Sequence, residues 1–224
     1  MSGAPGAEYA SAHVVQAGED VTFIDPWPAH ATLRAETTSM GTRMPRIPTI
    51  ERADMNAEQA RVYDDAKQGS GIVGGPFTAY IRLPKLFEAA QTLRESLAQG
   101  PLSAREQQVI NLTVARHWGA HYPWFAQARR SLSVGIPKAV IDAINARQNP
   151  DLPDARERTC HEVAHELLTT KSLSDASYAA AEKTMGLESL VALVASTGSF
   201  SMTCMTANTF GITAPTDNPA PLLA

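Results

Sequence analysis

Cysteine is scarce in this sequence: 224 residues contain only Cys160 and Cys204, far apart and in neither Cys-x-x-Cys nor metal-finger spacing. That excludes a disulfide framework and a thiolate metal cluster, and it suits a reducing, cytoplasmic setting. Basic runs are absent too. No stretch of Lys or Arg exceeds a pair, and 19 basic against 23 acidic residues leave a net charge of -4, which is no electrostatic footprint for nucleic acid. A long uninterrupted apolar run is also missing. The best, Leu187 to Phe200, is broken by Glu188, Ser189 and Ser196, short of the roughly 20 apolar residues a membrane span requires, so a soluble protein is expected. The first residues lack the positive and apolar regions of a signal peptide, and Glu8, Glu19, Asp20 and Asp25 do not suit an Arg-rich transit peptide. Finally, no segment alternates apolar and polar residues well enough for a strand, which leaves an all-α fold.

What is present is enough apolar material, 44% of the residues, for one substantial core. Residues 1–48 are rich in Ala, Thr, Gly and Pro without helical or strand period, and read as an N-terminal extension with little structure of its own. The apolar pieces Val21 to Ile24 and Trp27 are candidates for fastening it to the body or to a neighbouring subunit. Residues 49–224 read as the helical domain.

Helix punctuation there is regular. Asn56 and Gln59 form a capping box before a helix through Val62 and Ala66, closed by Gly69, Gly71, Gly74 and Gly75. Pro84 opens a helix carrying Leu86, Phe87, Ala90, Leu93 and Leu97, which stops at Gly100. Ser103 and Glu106 make a second capping box before Val109, Ile110, Leu112 and Val114. That helix reaches Trp118 and Gly119, and the next begins near Pro123, so His117 to Trp124 is a helix-to-helix corner of the kind that places side chains at a cleft. Pro137, Asp154 and Ser174 start three further helices, and Leu187 to Asn208 reads as a long, largely buried one with small residues that permit close contact.

The stretch from about Ser103 to Pro137, LSAREQQVINLTVARHWGAHYPWFAQARRSLSVGIP, resembles the core motif of the carboxymuconolactone decarboxylase and alkylhydroperoxidase D family. GPFTAYIRLPKLFEAAQTL looks like that family's preceding helix. ELLTTKSLSDASYAAAEKTMG and LVALVASTGSFSMTCMTANTFG look like its C-terminal half, so the likeness covers roughly Pro45 to Pro215. The resemblance implies an alkylhydroperoxidase D-like helical bundle, free of cofactor and assembled through its C-terminal helices into a trimer or hexamer. The departures matter as much. Where peroxide-reducing members carry Cys-x-x-Cys, with a low-pKa thiolate and a resolving thiol, this chain has Ala120 and Pro123. Where many members have a histidine early in the second helix, it has Gln127.

What remains at the corner is an acid/base set, with Glu106, His117 and His121 as candidate catalytic residues and Tyr122, Trp124, Gln127 and Arg116 as candidate substrate-binding residues. Decarboxylation needs a donor or cation for the carboxylate and an acid for the carbanion. Histidine, with an unperturbed pKa of about 6.5, suits proton transfer, and His121 is assigned that role with Glu106 as its partner. Each has a structural reading as well: Glu106 as the third residue of a capping box, His117 as a cation at a helix C-terminus, Tyr122 and Trp124 as core aromatics. The function expected is cofactor-independent lyase chemistry, decarboxylation first, or isomerisation, on a small lactone or cyclic carboxylic acid. The alternatives are a thiol peroxidase using Cys160 or Cys204 and a non-catalytic helical binding or assembly module. His161-Glu162-Val163-Ala164-His165 is a literal HExxH. On the helical wheel its histidines flank the buried face formed by Cys160, Val163, Ala164, Leu167 and Leu168, no third ligand stands out, and solvated surface histidines without metal are expected.

Overall fold

The computed structural model describes residues 45–69, 71–215 and 220–223. The N-terminal pieces Val21 to Ile24 and Trp27 lie outside the described residues. Among those described there is no strand, and the all-α expectation holds.

The caps read from the sequence are in place. Asn56 accepts the Gln59 N–H while Gln59 reaches back to Asn56 N–H, opening α1 (Ala57–Gln68). A short turn of helix not foreseen in the sequence, α2 (Phe77–Tyr80), follows the glycines, and Pro84 begins α3 (Pro84–Ala98). Next come α4 (Ala104–Trp118), α5 (His121–Ser133), α6 (Lys138–Asn145), α7 (Ala155–Thr170), α8 (Asp175–Met185) and α9 (Leu187–Phe210). Helix α5 starts two residues before Pro123 because proline's missing N–H is harmless within the first turn. Helix α9 extends past Phe200 to 24 residues, long and apolar enough by composition to cross a membrane. It packs against α3, α4, α5, α7 and α8 and buries Leu190, Leu193, Cys204 and Ala207 on one side, but Leu187, Val191, Val194 and Met205 are exposed, so it is less buried than the sequence suggests.

Helix α4 is the axis of the domain. Nine of its fifteen residues are buried, and it packs most extensively on α7 and α9. Its Ser103 cap makes both capping-box hydrogen bonds with Glu106, and Gly119, at φ 57°, ends it in the left-handed conformation that L side chains adopt reluctantly. The Gly119 N–H then bonds the Arg116 carbonyl and the Ala120 N–H the Ala115 carbonyl, which turns the chain sharply into α5.

Two apolar clusters flank α4's neighbours. The larger joins α4 to α9 around Trp124, Ile110, Leu112, Ile141 and Leu193; the smaller gathers Val62, Phe77, Tyr80, Ile81 and Phe87 between α1, α2 and α3. The segment at 45–48, assigned from the sequence to the extension, is tied to the body: Arg46 N–H donates to the Phe210 carbonyl at 2.9 Å, and Arg82 donates to the Pro48 carbonyl. The C-terminal piece is tied as well. Trp124 Nε1 donates to the Ala220 carbonyl at 2.7 Å, and Asn145 brackets Pro221 and Leu223.

Candidate functional site

The corner between α4 and α5 borders a cavity of about 190 Å³ roofed by α2, α3 and α9. An apolar cavity of about 150 Å³ holds benzene, so this one admits a single ring. Phe77, Tyr80, Ala90, Leu97, Phe200 and Met202 give it apolar walls. Tyr122 closes one side, and its position depends on Gly75: at φ +58° a β-carbon on residue 75 would fall 2.1 Å from the tyrosine ring. Burial raises the Tyr122 pKa, so its hydroxyl stays protonated at neutral pH.

The polar groups in the wall are amides, hydroxyls and two guanidiniums. Asn111 Nδ2 donates to Gln127 Oε1 at 3.3 Å. Gln108, 3% exposed, also lines the cavity, and its Oε1 is buried with no hydrogen-bond partner among the described residues. Ser196, Ser199 and Thr203 of α9 add hydroxyls, and Arg94 and the exposed Arg130 add guanidiniums. Among the described lining residues there is no imidazole, carboxylate, amine or thiol.

A second cavity, about 650 Å³, lies at the C-terminal end of α4 against the turn after α6 and the outer side of α7. Thr113, Arg116, His117, Arg147, His161 and His165 are among its walls. On the α4 wheel Gln107, Gln108 and Asn111 point away from Thr113, Arg116 and His117, so the cavities occupy opposite faces of one helix.

The residues singled out from the sequence are dispersed. Tyr122 and Gln127 line the first cavity; Arg116 and His117 line the second. Glu106 lines neither. It is 4% exposed, caps α4 through Ser103 and pairs with Arg156 at 2.5 Å, so both its oxygens are engaged. His121, the first residue of α5, is exposed and lines neither cavity. The expected Glu106–His121 partnership does not form, because at a rise of about 1.5 Å per residue Glu106 and the far end of α4 are about 18 Å apart. Trp124 is fully buried in the main core, with its N–H on Ala220, and is not a pocket wall.

His161 also departs from expectation. His165 and Glu162 are exposed as the wheel suggests, but His161 is largely buried against α4 and shares a 2.9 Å hydrogen bond with Thr113. Burial, then the neighbouring His165, pushes its pKa down to about 4. No group of three or more His, Cys, Asp or Glu that could hold a metal occurs among the described residues.

Reasoning from the sequence missed Gln108 and Asn111, although two amides on the otherwise buried face of α4 are a visible signal. It missed Arg147 entirely, since nothing local marks it.

Both cysteines are 0% exposed, and burial is the main cause that pushes each thiol pKa up. Neither lines either cavity, and an inaccessible thiol of raised pKa is a poor nucleophile.

No family model matches the chain, and no curated protein does. Solved structures do. A peroxidase-related protein from Ralstonia eutropha JMP134, described as having an alkylhydroperoxidase D core, is 19% identical with a TM-score of 0.63, over 78% of this chain and 94% of its own. A peroxidase-related protein from Silicibacter sp. TM1040 is 17% identical with a TM-score of 0.64, over 81% of this chain and 97% of its own. A protein of unknown function from Agrobacterium tumefaciens, described in terms of alkylhydroperoxidase D and antioxidant defence, reaches a TM-score of 0.55 at 17% identity, over 62% of this chain and 97% of its own. At such identities the similarity establishes the fold: an alkylhydroperoxidase D-like arrangement of helices.

Proposed function

We propose that this protein binds a small monocyclic carboxylic acid bearing a hydrogen-bond donor, in the cavity at the α4–α5 corner. The observation that carries the reading is Gln108 Oε1, a buried acceptor without a partner in the wall of an apolar, ring-sized cavity. An acceptor left unmade in the interior costs about 1–3 kcal/mol, and a ligand hydroxyl or N–H would recover much of that. Arg94 and Arg130 supply cations for a carboxylate, and Asn111, Gln127 and Tyr122 supply further polar contacts around the ring. Such a site, apolar with a few convergent polar groups, is the usual design of a small-molecule pocket.

Tyr122 favours a second reading, that the bound acid is decarboxylated there without a cofactor. Loss of carbon dioxide from an acid whose carboxyl lies β or vinylogous to a lactone or ketone carbonyl leaves an enolate, which water then protonates on carbon, and a phenol held neutral in an apolar site can hydrogen-bond the charge that develops on the enolate oxygen. Thiol peroxidase chemistry is disfavoured by the burial of both thiols.

Isothermal titration with benzoate, 4-hydroxybenzoate and a γ-lactone carboxylic acid, with carbon dioxide release followed in parallel, tests both readings. Binding of the hydroxylated ring at least about tenfold tighter than benzoate is expected, and Gln108→Leu should abolish that preference. Turnover that vanishes in Tyr122→Phe while binding survives would select the lyase reading. No heat of binding with any of the three would remove the ligand class proposed.

A further inference from the structure

The walls of the corner cavity are helical with one exception. Of its described lining residues, Ile72, Gly74 and Pro76 alone lie outside helices. They belong to a strap at 71–76 that leads from α1 into α2. A helix wall is held by its own hydrogen-bond ladder and by packing, whereas a strap keeps its place only through the ties it makes.

Those ties are local at both ends. Gly71 N–H donates to the Ala66 carbonyl at 3.0 Å, and a β-carbon on residue 71 would come within 2.6 Å of that oxygen. At the far end the Gly74 and Gly75 carbonyls accept from the Phe77 and Thr78 N–H groups, and Val73 packs on the smaller apolar cluster. Between these points the main chain of Ile72 is bonded to a side chain of α3. Gln91 Oε1 accepts the Ile72 N–H at 3.3 Å and Gln91 Nε2 donates to the Ile72 carbonyl at 2.5 Å, so one carboxamide takes the part of a neighbouring strand. Its orientation is fixed by a third contact. Gln91 Oε1 also accepts from Arg94 Nε at 3.4 Å, and the reversed amide would set its NH2 group against two donors. Gln91 is 8% exposed, although glutamine is mostly a surface residue. It does not itself line the cavity, so it acts there through the strap.

We propose that Gln91 is a positioning residue that sets the size limit of the corner site: by latching Ile72 it holds the strap inward and restricts the cavity to one ring. The inference rests on the reading of that cavity as a site for a monocyclic acid. Ile72 is already exposed, so without the latch its main chain reaches water by moving outward, and the cavity opens toward a second, fused ring.

Two measurements on the full chain separate the latch from the ligand. Amide hydrogen exchange without ligand reads the latch: in Gln91→Leu, exchange across the strap should quicken at least about tenfold while α4 and α9 stay as in wild type. Calorimetric titration with 4-hydroxybenzoate and 6-hydroxy-2-naphthoate reads the size limit. Wild type should favour the single ring about tenfold or more, and Gln91→Leu should narrow that gap by gaining affinity for the naphthoate. Damage to the fold would weaken both acids and would not produce a gain for the larger one. Gly71→Ala loosens the strap from its other end without altering α3 and should shift exchange and preference the same way, which keeps the test decisive if Gln91→Leu fails to fold. Unchanged exchange of the strap in both variants overturns the latch, and quickened exchange with the naphthoate still excluded overturns the size limit. Quickened exchange with neither acid bound by wild type sinks the monocyclic-acid reading, and the size limit with it.

Discussion

Glu106→Gln separates a structural role from a catalytic one. Glutamine can still fill the third position of the capping box and accept from Ser103 N–H, so what the substitution removes is the charge opposite Arg156. Glu106 is 4% exposed, while the Arg156 side chain is 35% exposed and has the Met185 carbonyl as a further acceptor. Breaking a fully buried pair from one side costs about 3–5 kcal/mol; with Arg156 able to turn toward water, about 2 kcal/mol is expected. For a chain of this size that lowers the melting temperature by about 4–8 °C. Denaturant melts followed by circular dichroism give the stability, and titration of the corner cavity with 4-hydroxybenzoate gives the function. The reasoning is refuted if Glu106→Gln leaves the melt unchanged and abolishes binding or turnover.

His161 gives a pH prediction. Its folded pKa of about 4 lies below the unfolded value of about 6.5, so the unfolded chain takes up the proton first as pH falls. The stability is therefore present above pH 6.5 and is lost as pH drops from there to 4, by about 3 kcal/mol at most; urea midpoints at pH 7 and 4.5 should converge in His161→Phe. Gly75→Ala should push the Tyr122 ring into the corner cavity and weaken its ligand at least about tenfold, read by calorimetry, with a melt lowered by about 1 kcal/mol or more from the left-handed backbone. Leu187, Val191, Val194 and Met205 lie on one stripe of α9 and are exposed. The trimer or hexamer expected from the sequence would cover them, and Val191→Glu should then reduce the mass measured by light scattering, whereas an unchanged mass would move the contact elsewhere.

Much of the fold was legible because helix boundaries are written in local chemistry. The capping pairs Asn56–Gln59 and Ser103–Glu106, Pro84 at a first helical position, and Gly119 at a left-handed stop each act within four residues. Helix α2 was missed because four residues between Pro76 and Pro84 are too few to show a period, and its contacts are tertiary: Phe77 packs edge-on against Tyr80 and Phe87, and the Tyr80 hydroxyl hydrogen-bonds Thr206 of α9. The site was legible only in part. Tyr122 and Gln127 were identified because the corner motif places them, whereas Glu106 and Trp124 share that motif and face inward to Arg156 and Ala220, partners 50 and 96 residues away. The HExxH histidines were read from α7 alone, and the wheel could not reveal Thr113, 48 residues earlier in sequence, which draws His161 against α4.

The two faces of α4 also respond differently to the solvent. Among the described residues lining the corner cavity none changes charge between about pH 4 and 8: amides, aliphatic hydroxyls and guanidiniums do not titrate there, and Tyr122 is held protonated. Around the other cavity sit three imidazoles, of which His161, with its pKa near 4, takes up a proton only on stronger acidification, and His117 is displaced the same way by burial. Acidification is thus a selective reagent for this molecule. As pH falls from 8 to 4 the affinity of a ligand with no titrating group of its own should stay flat if it occupies the corner and change as His161 takes up its proton if it occupies the opposite face, so a single pH series on the unmodified protein tells which side of α4 an unidentified ligand has entered.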